Sequence, residues 1–373
     1  MKVTGIYLDG FRNYRDEAIE FSGGVNVISG SNAQGKTNLI EAVYYLTCGR
    51  SFRTSGDKDL IAHTGSSAVI RADIVSDGRE QTLEARLSRV KRRELYANGA
   101  KLKKASELSG RLTAVLFNPD DLDMIKAGAA VRRRLMDACL TQLRPRYLAA
   151  LGEFNRLYDH KTRILRDHRD KPSLLLTLDD FNLRLAQQSA QIIYYRAAFA
   201  ALLSKKAAAI HHEFSGGAEE LNVRYKTVKT IDNALQKPDA LLPMLLEHQA
   251  SHRQAELDSG LCLSGAHKDD LEIEIGGKSA RSFASQGQAR TASISIKLAE
   301  REICFEDRGE HPILLLDDVL SELDETRRSF VLNRIQDGQV FITCCEDGQI
   351  QAKTGGVVMR IEKGALLRKT EGD

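Results

Sequence analysis

Gly30-Ser31-Asn32-Ala33-Gln34-Gly35-Lys36-Thr37 fits the pattern G-x-x-x-x-G-K-[ST], directly after the apolar stretch Val25-Asn26-Val27-Ile28 and directly before the helical run Asn38–Leu46. Context is what turns the pattern into chemistry. Glycines let the backbone curl until successive N–H groups point at phosphate oxygens, and the helix that follows adds its positive N-terminal end. The spacing predicts a strand, a loop and a helix that together hold a nucleoside triphosphate. Lys36 reaches the β- and γ-phosphates in this reading, and the Thr37 hydroxyl ligates Mg2+.

A second half of the site lies far along the chain. His311-Pro312-Ile313-Leu314-Leu315-Leu316-Asp317-Asp318 is an apolar run ending in two carboxylates, which suits a central parallel strand delivering acids to its C-terminal edge. Asp317 is expected to hold Mg2+ through water, and Asp318 to orient or deprotonate a water beside the γ-phosphate. A strand that stops at a solvated acidic turn would read the same way in isolation; the phosphate loop upstream favours the catalytic reading. Between the two motifs, Ser285-Gln286-Gly287-Gln288 opens the helix Ala289–Phe305, so a second serine-and-glycine loop sits at a helix N-terminus. Ser321-Glu322-Leu323-Asp324 follows the acids at short range.

This order (phosphate loop, signature loop, acidic strand, short Asp loop) resembles the ATP-binding-cassette ATPases, in which the signature loop of one subunit closes over the γ-phosphate bound to the other. Five blocks narrow the resemblance: GFRNY (Gly10–Tyr14), GSNAQGKTN (Gly30–Asn38), GAHKDD (Gly265–Asp270), SQGQAR (Ser285–Arg290) and LLLDDVLSELD (Leu314–Asp324). Together they span nearly the whole chain and resemble the RecF family, bacterial recombination mediators related to SMC proteins. Two departures stand out. Ala266 and Lys268 replace the proline and arginine of G-P-H-R-D-D, and Ala289 replaces the third glutamine of S-Q-G-Q-Q-R, which puts the roles of His267–Asp270 in question. No Q-loop glutamine is found in Phe117–Leu122, and the strand ending Thr343-Cys344-Cys345 lacks the switch histidine of transporter ATPases.

The resemblance implies an α/β fold, an ABC-type P-loop ATPase head with an inserted helical lobe. It implies a weak, DNA-stimulated ATPase that dimerises on ATP, with Arg12 near the nucleotide phosphates and Ser285, Gln286, Gly287 and Gln288 acting on the partner's nucleotide. The implied cofactors are ATP and Mg2+. The implied partners are gapped or junction DNA, a second copy of the chain, and RecO and RecR, in helping to load RecA within SOS-linked recombinational repair and replication restart. The implied location is cytoplasmic and nucleoid-associated.

Periodicity gives the organisation independently of that resemblance. Ile6, Leu8 and Phe11, then Ile19 and Phe21, suggest an antiparallel strand pair, and alternation around Asn98-Gly99 predicts a tight hairpin because both positions tolerate positive φ. From Val131 to Phe214 the pattern is helical, interrupted by Pro145, Pro172 and Gly216-Gly217, with Leu178, Phe181, Leu185, Ile192, Phe199 and Leu203 on one face. Sheet signals return at Leu271–Ile275, Ile313–Leu316 and Val340–Thr343. The expected division is a discontinuous head, 1–115 with 260–373, around a mainly helical lobe, 116–259.

Composition bounds the alternatives. A chain of 373 residues, 42% hydrophobic and 28% charged, suits a soluble globular protein with one large core plus an inserted lobe. No apolar run approaches the ~20 residues of a membrane span, and MKVTGIYLDGFRNY lacks the apolar core of a secretion signal. The six cysteines show no metal-site spacing and are expected to be reduced and mostly buried. A net charge of +3 requires any DNA surface to be a local patch. Two clusters qualify: Arg86, Arg89, Lys91, Arg92, Arg93, Lys101, Lys103 and Lys104 around the hairpin, and Arg132-Arg133-Arg134. With no Trp and 6% aromatics, backbone contacts are favoured over base stacking. A small-molecule phosphotransferase would share the phosphate loop but gives no reason for Ser285–Gln288. An SMC-type chromosome organiser would need far longer heptad arrays than the insertion provides.

Overall fold

The computed structural model describes residues 1–54, 56–345 and 348–370. They form two compact units: Met1–Asp123 with Ser293–Asp373, and Met124–Ala292. The first unit is built on two six-stranded sheets.

One sheet is antiparallel, in the spatial order Glu17–Glu20, Lys2–Asp9, Ser67–Ser76, Arg79–Ser88, Glu94–Ala97, Ala100–Lys101. Along Ser67–Ser76, the buried Ala68, Ile70, Ala72 and Ile74 alternate with more exposed neighbours, the pattern of a sheet with one dry face. The hairpin turns at Asn98 (φ 49°) and Gly99 (φ 76°), both left-handed as a type I′ turn requires.

The other sheet runs Ala365–Thr370, Val357–Glu362, Val25–Ser29, Val340–Cys344, Ile313–Asp317, Ala114–Phe117, parallel throughout except for its first pair. Ile313–Asp317 and Val340–Cys344 are buried at every position, as strands covered on both faces must be. Register then places the site. Ser29 pairs with Cys344 and Thr343 pairs with Asp317, so the strand before the phosphate loop and the acidic strand end at the same carboxyl edge. The helix Lys36–Cys48 buries Leu39, Ile40, Val43, Tyr45 and Leu46 in one core with residues of both sheets, including Ile70, Leu83, Leu315 and Phe341.

The second unit contains the helices Ala129–Leu143, Pro145–Asp167, Leu178–Phe214 and Pro238–Ser259, and a small antiparallel sheet ordered Lys278–Ser279, Asp270–Ile275, Leu221–Lys226. Pro145 does not merely interrupt: it occupies the first turn of its helix, where a missing N–H costs nothing. Of the apolar face predicted on the long helix, Leu178, Leu185, Ile192, Phe199 and Leu203 are buried and Phe181 is half-buried.

Residues 260–292, assigned to the head on sequence, fall in this second unit. The reason is pairing: Asp270–Ile275 bonds along its length to Leu221–Lys226, a strand inside the lobe. The block Gly265–Asp270 pins this unit together. The fully buried Asp269 receives bonds from Arg196 (2.7 Å), Tyr225 (2.6 Å) and Thr227 (2.7 Å), and Asp270 takes both arms of Arg132 at 2.7 and 2.9 Å. Burial pushes the Asp269 carboxyl up, and the donors around it oppose that shift. Burial likewise pushes the His267 imidazole down to about 4. Breaking such a pair by removing one partner costs roughly 3–5 kcal/mol, because the other charge stays buried alone. No helix among the described residues is long and apolar enough to cross a membrane.

Candidate functional site

The phosphate loop needs its glycines. At Gly30 (φ 150°) a Cβ would sit 2.4 Å from the Ile361 carbonyl oxygen, and at Gly35 (φ 115°) it would meet the Asn13 amide at 2.8 Å. Gly35 is also the N-cap of the helix Lys36–Cys48 and supplies no capping side chain, and no acid stands in the first turn. The helix therefore starts with N–H groups that no cap satisfies. Lys36 is buried, 7% exposed, and its Nζ donates to the loop's own carbonyls, Gly30 O at 2.6 Å and Ser31 O at 3.0 Å. Asn13 fastens the loop from outside, donating to Gln34 O at 2.9 Å and accepting from Asn38 at 2.8 Å.

The acidic strand arrives beside it. The Thr37 hydroxyl donates to Asp317 Oδ1 at 2.9 Å across 280 residues of sequence, and the Thr343 hydroxyl donates to the same oxygen at 2.9 Å. Burial pushes the Asp317 carboxyl above its ordinary range, opposed by the bonds from Thr37 and Thr343. Asp318 adopts a left-handed backbone (φ 56°), held by its N–H donating to Thr343 Oγ1 at 2.8 Å. That non-glycine conformation turns the chain out of the strand. Ser321 donates to Asp318 O at 2.6 Å, and Asp324 caps the helix Glu325–Arg334 through Arg327 N–H at 2.9 Å. Two oxygens from Thr37 and Asp317, converging at one point, are the hard donors that Mg2+ takes.

Arg12 is tied down rather than waving in solvent. Its Nε and Nη2 donate to the two oxygens of Glu41 at 2.9 and 2.8 Å, and its Nη1 to Asp59 O at 2.8 Å. Glu41 is fully buried within the loop's own helix and also accepts from Ser51 at 2.5 Å. Arg12 and Asn13 line a cavity of about 410 Å3 with Arg15, His63, Thr64 and Lys363. Gln34 links that cavity to the loop, since Lys363 and Gly364 donate their N–H groups to it at 2.8 and 2.9 Å.

Sequence alone assigns no role to Thr343, Glu41 or Asn13, although Glu41 leaves a signal as a carboxylate inside the apolar helical run that follows the loop and Asn13 lies within GFRNY. Cys345 is the exposed exception among the six cysteines, its Sγ 3.1 Å from Asn32 Oδ1 and 3.7 Å from Lys36 Nζ.

Ser285–Gln288 lies in the second unit, as the start of the helix Gln286–Arg308. Ser285 Oγ accepts the Gln288 N–H at 3.2 Å while Gln288 Oε1 accepts the Ser285 N–H at 2.9 Å, a reciprocal cap. Ser285 and Gln286 are exposed; Gly287 and Gln288 are half-buried.

The basic clusters thin out. Arg86 pairs with Glu84, Lys101 with Glu94, and Arg93 with Asp57 and Gly49 O, while Arg89 donates to the carbonyls of Ile61, Ala62 and Gly65. Arg132 is spent on Asp270, and Arg133 on Asp269 O. Lys91, Arg92, Lys103 and Lys104 remain exposed around the hairpin.

Phosphate loop, acidic strand and sheet order together define an ABC-type ATPase head of mixed α/β fold. The family model for the RecF/RecN/SMC N terminal domain matches residues 2–365. A DNA replication and repair protein RecF from Acetivibrio thermocellus is 37% identical over 366 residues, 98% of this chain and 99% of its own, and one from Listeria welshimeri is 37% identical over 372 residues, 99% and 100% of the two chains. The chain belongs to the RecF family. A solved structure of the recombination mediator protein RecF-ATP in the RecFOR pathway superposes with a TM-score of 0.89 at 31% identity, over 99% of this chain and 97% of that one. An SMC head bound to the C-winged helix domain of ScpA, at 16% identity and a TM-score of 0.56 over 100% and 98% of the chains, shares the fold.

Proposed function

We propose that this chain is an ATP-switched DNA-binding protein of recombinational repair and replication restart, which dimerises on ATP and hydrolyses it slowly to reset, stimulated by DNA. The 2.9 Å contact between Thr37 and Asp317 carries the reading, because it joins the two halves of a nucleotide site that a phosphate loop alone would leave incomplete. Relatives named as DNA replication and repair proteins, and a RecF structure named with ATP, support it.

Lys36 leaves its own carbonyls for the β- and γ-phosphates, and the uncapped N–H groups of the loop take the remaining oxygens. Arg12, held by Glu41, lends positive charge to the same phosphates. Thr37 and Asp317 are the residues that would hold Mg2+, which would supply charge neutralisation at the phosphates. Asp318 accepts a proton from the water that attacks the γ-phosphorus as the bond to the bridging oxygen of ADP breaks. Ser285, with Gln286, Gly287 and Gln288, closes over the γ-phosphate of a second copy, so ATP favours the dimer and ADP releases it. RecO and RecR are its proposed partners in helping RecA onto gapped DNA.

Sedimentation with ATP, in an Asp318→Asn background, tests the switch. Ser285→Arg is expected to bind ATP as a monomer and fail to dimerise; dimerisation equal to the parent's would refute the trans-acting role. For DNA, log affinity against log salt is expected to fall with a slope of roughly −0.9 per phosphate neutralised on a duplex. Changing Lys91, Arg92, Lys103 and Lys104 to Glu should flatten that slope, whereas an unmoved slope would make the hairpin an ordinary solvated surface. Arg93 is left out, because its bonds to Asp57 and Gly49 O make it part of the fold.

A further inference from the structure

Gln288 uses both ends of one amide. Its Oε1 accepts the Ser285 N–H at 2.9 Å, closing the helix cap, and its Nε2 donates to Glu219 Oε1 at 2.8 Å. The other oxygen of Glu219 lies 3.1 Å from Nε2 of His211, whose side chain is fully buried in the last turn of the helix Leu178–Phe214. The segment carrying Glu219 is itself anchored. Its N–H donates to Ser215 Oγ at 3.3 Å, and the neighbouring Glu220 carbonyl accepts from Gly276 N–H at 2.9 Å. A helix cap requires only the bond to Ser285. The bonds onward to Glu219 and His211 answer a different demand, which is to hold a half-buried glutamine and the exposed serine it caps in a single orientation.

We infer that Glu219 is a positioning residue for the Ser285 loop: with His211 behind it, Glu219 fastens Gln288 to the end of the long lobe helix and presents the Ser285 hydroxyl, already oriented, to the nucleotide of a second copy of the chain. The inference rests on the trans-acting reading of the loop. Its physical content is pre-organisation. A long glutamine side chain and a serine rotor ordered before association do not have to be ordered during it. A carboxylate fixed behind the amide does for this loop what outer partners do for metal ligands, setting direction without touching the reacting group.

The test uses the full chain, a non-hydrolysable ATP analogue and sedimentation equilibrium. Glu219→Ala removes the acceptor from a residue that touches no nucleotide; monomer affinity for the analogue should stay within about twofold, while the dimer dissociation constant rises about tenfold, as expected for a lost hydrogen bond to a charged group. Gln288→Glu keeps the oxygen that caps the Ser285 N–H but sets two carboxylates against each other, and should weaken the dimer at least as much. The exchange Glu219→Gln with Gln288→Glu restores one donor and one acceptor in the opposite order, and dimerisation should recover severalfold over Gln288→Glu alone. If Glu219→Ala and Gln288→Glu dimerise like the parent while Ser285→Arg does not, the tether is wrong and the trans-acting loop stands. If both single variants weaken the dimer and the exchange restores nothing, the loss has another cause and the positioning role is overturned. If Ser285→Arg itself dimerises, the trans-acting reading fails and the positioning role falls with it.

Discussion

The loops Gly30–Thr37 and Ser285–Gln288 both put small residues at the start of a helix, yet they are finished in opposite ways. The first is left open: Gly35 caps nothing, no acid neutralises the first turn, and Lys36 donates to its own loop's carbonyls. The second is closed on itself by the Ser285–Gln288 cap. An open helix start with a buried lysine suits an anion, because uncompensated donors and a desolvated charge both gain from phosphate. A closed start has no such need. What it retains is the hydroxyl hydrogen of Ser285, since the oxygen is the acceptor in the cap. Under the proposed function, one loop binds tightly alone and the other adds a single directed bond to something already bound.

The contrast can be broken at three strengths. Asp318→Asn keeps the shape beside the open loop and loses the proposed base, so phosphate release should slow by about 10²–10⁴-fold with ATP still bound; unchanged turnover would remove Asp318 from the chemistry. Lys36→Ala should weaken ATP binding on the order of a hundredfold by calorimetry, and should abolish the rise in melting temperature that pyrophosphate is expected to give the parent. If the pyrophosphate effect survived, the open loop would not be the phosphate site. Ser285→Ala should cost about 1 kcal/mol in denaturant stability, the worth of an N-cap, while leaving the pyrophosphate effect intact. A pyrophosphate effect lost in Ser285→Ala would erase the distinction between the two loops.

Motifs were legible in the sequence where chemistry demands several residue types side by side. The phosphate loop, the acids after Leu316 and the Asn98-Gly99 turn all stand where the residues indicated. Charge was legible only as local density, and ion pairs are made at long range. Arg132 meets Asp270, and Arg93 meets Asp57, so clusters that look like an exposed basic face are partly internal scaffolding. The junction of the two units was misplaced for a related reason. The strand Asp270–Ile275 carries the same alternation whichever sheet it joins, and only its partner, Leu221–Lys226, decides. Thr343 holds both acids yet carries no pattern of its own, since a threonine at a strand end is unremarkable until its neighbour is known.

The place of Val25–Ser29 in the parallel sheet bears on how the protein is made. Its two neighbours are Val340–Cys344 and Val357–Glu362, so the strand that carries the phosphate loop leaves the ribosome with neither flank available. At roughly 5–20 residues per second, those flanks follow some 15–60 s later. The antiparallel strands between Lys2 and Lys101 are near in sequence and can pair in the interval, as can the whole of Met124–Ala292. Nucleotide can therefore stabilise only a chain translated past Val357–Glu362, and a product terminated before Val340 would carry the lobe without the strands that flank the phosphate loop.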